Sequence, residues 1–141
     1  MKFEAFDLHP KILSGIKAAG YKIPTPVQSR TIPAILKGQD VMGLAQTGTG
    51  KTAAFVLPML ERMMETSKGK KINRKNIRSL IIAPTRELAE QINDNIKELG
   101  KWTSFNSMTI YGGASAYNQL KMLKRGVDIV VACPGRLLDH M

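Results

Sequence analysis

The 141-residue chain contains one cysteine and one tryptophan, 6% aromatic residues, and 11 acidic against 21 basic residues. Each shortage excludes something. The lone Cys133 excludes an intramolecular disulfide and a multi-thiolate metal centre. With no disulfide to maintain, a reducing compartment, the cytoplasm, is the expected setting. Two distant histidines, His9 and His140, suggest ordinary surface positions rather than a site. Apolar runs such as Ile129–Cys133 are strand-sized, so no membrane span is expected, and the first residues, Met1 to Asp7, lack the apolar centre of a signal peptide. The shortage of acid leaves a net charge of +10, which points to a polyanionic partner, most simply nucleic acid.

The 43% hydrophobic content supports a core of ordinary domain size. No internal repeat is evident; short apolar runs alternate with helical patterns. Ile12, Leu13 and Ile16 mark a first helix closed by Gly20. Thr25-Pro26 reads as the cap and first turn of a second, carrying Val27, Ile32, Ile35 and Leu36. Val41–Ala45 reads as a buried strand, followed by a glycine-rich turn over Gln46–Gly50 and a helix from Lys51 to about Glu65 that Pro58 should kink. Strands are expected at Ser79–Ala83, Met108–Tyr111 and Val127–Ala132, with helices from Thr85 to Gly100 and over Ala114–Lys124, and another beginning at Gly135. This alternation predicts an α/β fold, a parallel sheet with helices on both faces. Ligands of such sheets bind at the carboxyl ends of the strands, where the Gly, Thr, Arg and Pro clusters of this sequence fall.

The strongest chemical signal is Ala45-Gln46-Thr47-Gly48-Thr49-Gly50-Lys51-Thr52, lying between an expected strand and an expected helix. Its glycines let successive N–H groups converge on a phosphate, and the helix start adds its positive dipole end. Lys51 can reach β- and γ-phosphates and the Thr52 hydroxyl can ligate Mg²⁺. This is a P-loop with Ala45 in place of its first glycine, and it predicts nucleotide binding but no particular activity. The segment Lys68–Arg78 holds six basic residues and no acid, either a solvated connector or a nucleic-acid contact.

The remaining motifs fall in the order of one family. Gly20-Tyr21-Lys22-Ile23-Pro24-Thr25-Pro26-Val27-Gln28, with Phe3 upstream, resembles the Q motif of the DEAD-box RNA helicases. Pro84-Thr85-Arg86-Glu87-Leu88-Ala89-Glu90-Gln91 resembles their motif Ia, Gly112-Gly113 their glycine doublet, and Pro134-Gly135-Arg136-Leu137-Leu138-Asp139 their motif Ib. The resemblance implies a RecA-like P-loop domain that uses ATP and Mg²⁺. It implies that Gln28 holds the adenine edge and Tyr21 stacks on the base. It also implies that Pro84, Thr85, Arg86, Gly112, Gly113, Pro134, Gly135 and Arg136 grip an RNA backbone without reading sequence.

On this view residues 1–38 are N-terminal helices with the Q motif and residues 39–141 the first part of the ATP-binding domain, one structural domain in all. Cys133 departs from the family, which has Thr there. The Asp-Glu-Ala-Asp motif and the second RecA-like domain are not in the sequence, so a domain incomplete at its C-terminus is expected, with little or no ATP hydrolysis by these residues alone. A monomer is expected. A DNA helicase or translocase of related fold, and a stand-alone nucleotide- or RNA-binding module without catalysis, are the alternatives.

Overall fold

A computed structural model describes residues 2–44, 50–68, 77–111 and 116–134. The chain divides into two compact units, one of residues 1–70 with 98–103 and the other of residues 71–97 with 104–141.

The first unit is helical. A 3₁₀ turn over Phe3–Phe6 buries both phenylalanines edge to face, with ring centroids 6.1 Å apart. Helix α1 (Pro10–Ala18) follows, with proline at its first position and the His9 Nδ1 accepting the Lys11 N–H at 3.1 Å. The His9 N–H donates in turn to the buried carboxylate of Glu61 at 2.8 Å, so His9 is a half-buried helix cap and not the free surface residue its sequence position suggested. The helix ends in a Schellman motif: Gly20 N–H bonds to the Lys17 carbonyl and Tyr21 N–H to the Ile16 carbonyl. Helix α2 (Pro26–Leu36) packs on α3 (Lys51–Ser67), which runs unbroken through Pro58. Ile12, Ile16, Ile32, Leu57, Leu60 and Leu99 form the fully buried heart of this unit.

The second unit carries a three-stranded parallel sheet, β1 (Ser79–Ile82), β2 (Ser107–Ile110) and β3 (Ile129–Ala132), in the order β1-β3-β2. All four β3 residues are buried, as a central parallel strand requires. Helices α4 (Arg86–Leu99) and α5 (Ala116–Arg125) complete it. Leu123 of α5 packs on the sheet face formed by Met108, Ile110, Val130 and Ala132. Thr109 points to the opposite face, and its hydroxyl donates to Glu90 of α4 at 2.8 Å, so the sheet has a helix on each side. Leu80 and Ile82 share the α5 face by register, yet remain 54% and 57% exposed, because β1 is an edge strand.

One expected strand does not form. Val41–Leu44 pairs with none of the three strands, and Met42 and Leu44 are 86% and 89% exposed. A parallel strand exists only through hydrogen bonds to its neighbours, and among the described residues none supplies them; the apolar run alone cannot. The expected turn of Gln46–Gly50 apart from Gly50 itself, residues 69–76 of the basic segment and the helix beginning at Gly135 lie outside the described residues.

Gly15 of α1 faces the backbone carbonyl of Leu99, where a Cβ would collide with oxygen and carbon atoms that have no rotamer to change. Gly15→Ala is expected to destabilise the chain by about 1–3 kcal/mol. Urea unfolding followed by circular dichroism measures it; an unchanged midpoint would contradict the close approach.

Candidate nucleotide and RNA site

The nucleotide half of the site is built on the start of α2. Thr25 and Gln28 form a capping box: Thr25 Oγ1 accepts the Gln28 N–H at 3.4 Å, and Gln28 Oε1 accepts the Thr25 N–H at 3.0 Å. The other end of the same carboxamide leaves the helix. Gln28 Nε2 donates to the carbonyl of Gly50 at 3.1 Å, linking the start of α2 to the last glycine of the expected phosphate-binding turn. Gln28 is 3% exposed, so these bonds are worth more than their surface equivalents. A primary amide has two donor hydrogens and two acceptor lone pairs. One of each is used here. One N–H and one lone pair remain, the complement of the N7 and N6 edge of adenine.

Tyr21, set in place by the Schellman turn, is half-buried beside Phe3, with ring centroids 6.4 Å apart. Phe3 itself is 3% exposed, so it backs the Tyr21 ring instead of offering a surface of its own. Gly50, at φ 83°, precedes Lys51, the exposed first residue of α3, and Thr52 is half-buried one residue on. Lys51 lines a cavity of about 240 Å³ with Val27, Thr31, Val41, Gly43 and Phe55. Ala45, Gln46, Thr47, Gly48 and Thr49 lie outside the described residues. Among the described residues, no three His, Cys, Asp or Glu side chains come together to hold a metal, and no helix is long and apolar enough to cross a membrane.

The second group of predicted residues gathers in the sheet unit. Ile82, Ala132 and Ile110 occupy one row of the parallel ladder, so Ala83-Pro84, Cys133-Pro134 and Tyr111 leave the sheet side by side at its carboxyl edge. The Ala83 N–H bonds to the Ala132 carbonyl at 2.9 Å and the Cys133 N–H to that of Ile110 at 3.0 Å, fixing these exits. Thr85 is the N-cap of α4, its Oγ1 accepting the Leu88 N–H at 3.1 Å. Arg86 is exposed, and its guanidinium lies over the Tyr111 ring at 4.7 Å. The Tyr111 carbonyl in turn accepts from Gln119 Nε2 of α5 at 3.2 Å.

A stacked guanidinium keeps its in-plane N–H donors free for phosphate while the ring limits its rotamers. Sequence reasoning read Tyr111 only as the end of a strand; no pattern in the chain signals that it supports Arg86. Pro134 is exposed at the same edge, and Gly112, Gly113, Gly135 and Arg136 lie outside the described residues.

A family model described as DEAD/DEAH box helicase matches residues 25–141. Among curated relatives, ATP-dependent RNA helicase DeaD of Mycobacterium tuberculosis is 46% identical over 140 residues, 99% of this chain and 24% of the relative. DEAD-box ATP-dependent RNA helicase RhpA of Helicobacter pylori is 43% identical over 139 residues, 99% of this chain and 27% of its own length. ATP-dependent RNA helicase CshA of Limosilactobacillus reuteri is 45% identical over 141 residues, the whole of this chain and 27% of the relative. The chain thus spans between 16% and 27% of the length of the relatives it matches.

The pinned carboxamide makes Gly50 a sensitive backbone position. A Cβ on Gly50 would collide with Gln28 Nε2 and add strain at a positive φ. Gly50→Ala is expected to weaken binding of a fluorescent ATP analogue about tenfold or more, a change of about 1.4 kcal/mol, measured by direct titration. Wild-type affinity in that variant would show that the Gln28–Gly50 bond does not shape the site.

Proposed function

Because the chain belongs to the DEAD/DEAH box helicase family, we propose that it supplies the ATP- and RNA-binding portion of an ATP-dependent RNA helicase. The observation that carries this reading is the Gln28 carboxamide, bonded to Gly50 with one donor and one acceptor left over. A generic phosphate-binding turn has no need of an amide from another helix at its end. An adenine-selective one does, because the same amide then senses both the base and the turn.

In this reading Gln28 pairs with the base edge and Tyr21 lies against its face. Lys51, with the start of α3 behind it, holds the β- and γ-phosphates. Thr52 contributes a hydroxyl to Mg²⁺, an ion that keeps several waters and needs few protein ligands when phosphates share the coordination. Once bound, Mg²⁺ would neutralise charge between phosphate oxygens. The six-residue stretch Ala45–Gly50 wraps the phosphates, its role resting on its sequence. In the sheet unit, Arg86 and the start of α4 hold one RNA strand by its phosphates, with Gly112, Gly113, Pro134, Gly135 and Arg136 alongside. Contacts of this type fix position on the backbone and carry no base information. A reducing, cytoplasmic setting, a monomeric state and a second RecA-like domain acting on the same RNA belong to the same proposal.

Four titrations test it. The chain should bind a fluorescent ATP analogue that ATP displaces better than GTP. Lys51→Ala should weaken that binding about tenfold or more by removing the phosphate-facing cation. Gln28→Ala should bring ATP and GTP to within a few-fold of each other; undiminished selectivity for ATP would refute the adenine role. For the RNA half, Arg86→Ala should lower the salt dependence of single-stranded RNA binding, reducing the log–log slope by about 0.7. An unaltered slope in fluorescence anisotropy would remove Arg86 from the phosphate contacts.

A further inference from the structure

The sheet unit has a cavity at the opposite edge of the sheet from Pro84, Thr85 and Arg86. It is about 370 Å³, within the usual range for small-ligand sites of about 300–1,000 Å³. Asn106 and Ser107 at the start of β2, and Gly126 and Val127 just before β3, form its floor. Lys97 from the last turn of α4 and Arg125 from the last turn of α5 stand on its wall, with Phe105 and Met122 beside them. The strands are four residues long, so about 10 Å separates this edge from the carboxyl edge.

Three observations point to a ligand. First, the wall carries two cations and no carboxylate. The acids nearest on the same elements do not line it: Asp128 is fully buried, with Oδ2 accepting the Asn106 N–H at 2.8 Å, and Asp94 and Glu98, on either side of Lys97 along α4, are absent from the lining. Second, Ser107 is 8% exposed and its buried hydroxyl oxygen has no hydrogen-bond partner in the protein. Such a group is costly unless something satisfies it. Third, Phe105 offers a half-buried ring already held by the Arg78 guanidinium, 5.5 Å from its centroid. Cations, a lone hydroxyl and a fixed flat apolar surface together match a phosphate joined to a planar heterocycle. An acidic peptide would use the cations but leave the ring without a planar partner.

We propose that this cavity is a second nucleotide-binding site, distinct from the ATP site, with the phosphate on Lys97 and Arg125 and the base against Phe105 and Met122. Its ligand is a free mononucleotide or one unit of a single RNA strand. Base–aromatic stacking is tolerant of base identity, so little preference among bases is expected.

Amide NMR of the ¹⁵N-labelled 141-residue chain, titrated with UMP, inorganic phosphate and hexauridylate, tests this. UMP should shift the amides of Asn106, Ser107, Gly126 and Val127 saturably, and phosphate should bind there about tenfold more weakly. The double variant Lys97→Glu, Arg125→Glu should weaken UMP binding about tenfold or more while ATP still shifts the Gly50 and Lys51 amides. Phe105→Leu, which keeps the apolar volume, should weaken UMP but leave phosphate unchanged. Tighter binding of hexauridylate than of UMP identifies an RNA strand as the ligand; the reverse identifies a free nucleotide. No shift of these four amides with either, equal affinity for UMP and phosphate, indifference to the double variant, or tighter binding of an oligoglutamate peptide would overturn the proposal. Loss of the ATP response alone would count against the ATP site and leave this one standing.

Discussion

The Gln28 carboxamide is held at both of its ends, and much of the first unit's chemistry follows from that. One end closes the capping box of α2, a local device worth about 1 kcal/mol by itself. The other end reaches the Gly50 carbonyl, 22 residues along the chain, where α3 begins. A single buried side chain therefore sets the start of two helices against each other. It also explains why position 50 excludes a Cβ: the space that a side chain would occupy is already filled by the Gln28 amide. A change at either residue is felt at both, which couples the start of α2 to the start of α3.

The sheet unit uses a different device. Parallel register brings three chain exits to one edge, and that edge is where sequence-distant polar groups meet. Arg86 is at the start of α4 and Tyr111 at the end of β2, yet the guanidinium stacks on the ring. Because Tyr111 is also tied through its carbonyl to Gln119, the support for Arg86 runs from α4 across β2 to α5. The same register gathers Arg78, Asn106 and Asp128 at the opposite edge, immediately before the first ladder row. Both edges are therefore products of topology, and both collect cations on a scaffold of aromatic rings.

What could be read from the sequence is what depends on near neighbours. The Thr25-Pro26 helix start, the Gly20 stop, the Thr85 cap and the amphipathic α4 are local, and the structure has them at the expected places. Leu80–Ile82, Met108–Ile110 and Ile129–Ala132 were legible as strands because branched apolar residues cluster there. Val41–Leu44 looks much the same in composition but has no ladder, since pairing belongs to the neighbours and not to the segment. Long-range bonds were likewise invisible. Nothing in the order of residues says that Gln28 reaches Gly50, that His9 rests on Glu61 or that Arg86 finds Tyr111. The P-loop residues could be named from their pattern and the Q-motif residues from the resemblance to a family, while the groups that hold them in place could not.

The bare side of β1 carries a consequence for the molecule in solution. Leu80 and Ile82 are presented beside a strand edge that, among the described residues, has no partner on its outer side. Such an edge is a template for another copy of itself. What keeps copies apart is the net charge of +10, whose mutual repulsion acts over a Debye length of about 8 Å at physiological salt and about 3 Å at 1 M. The excess of basic residues thus serves as a colloidal guard. Raising the salt concentration weakens that guard, so exposure of the β1 edge to other copies becomes more consequential as ionic strength rises.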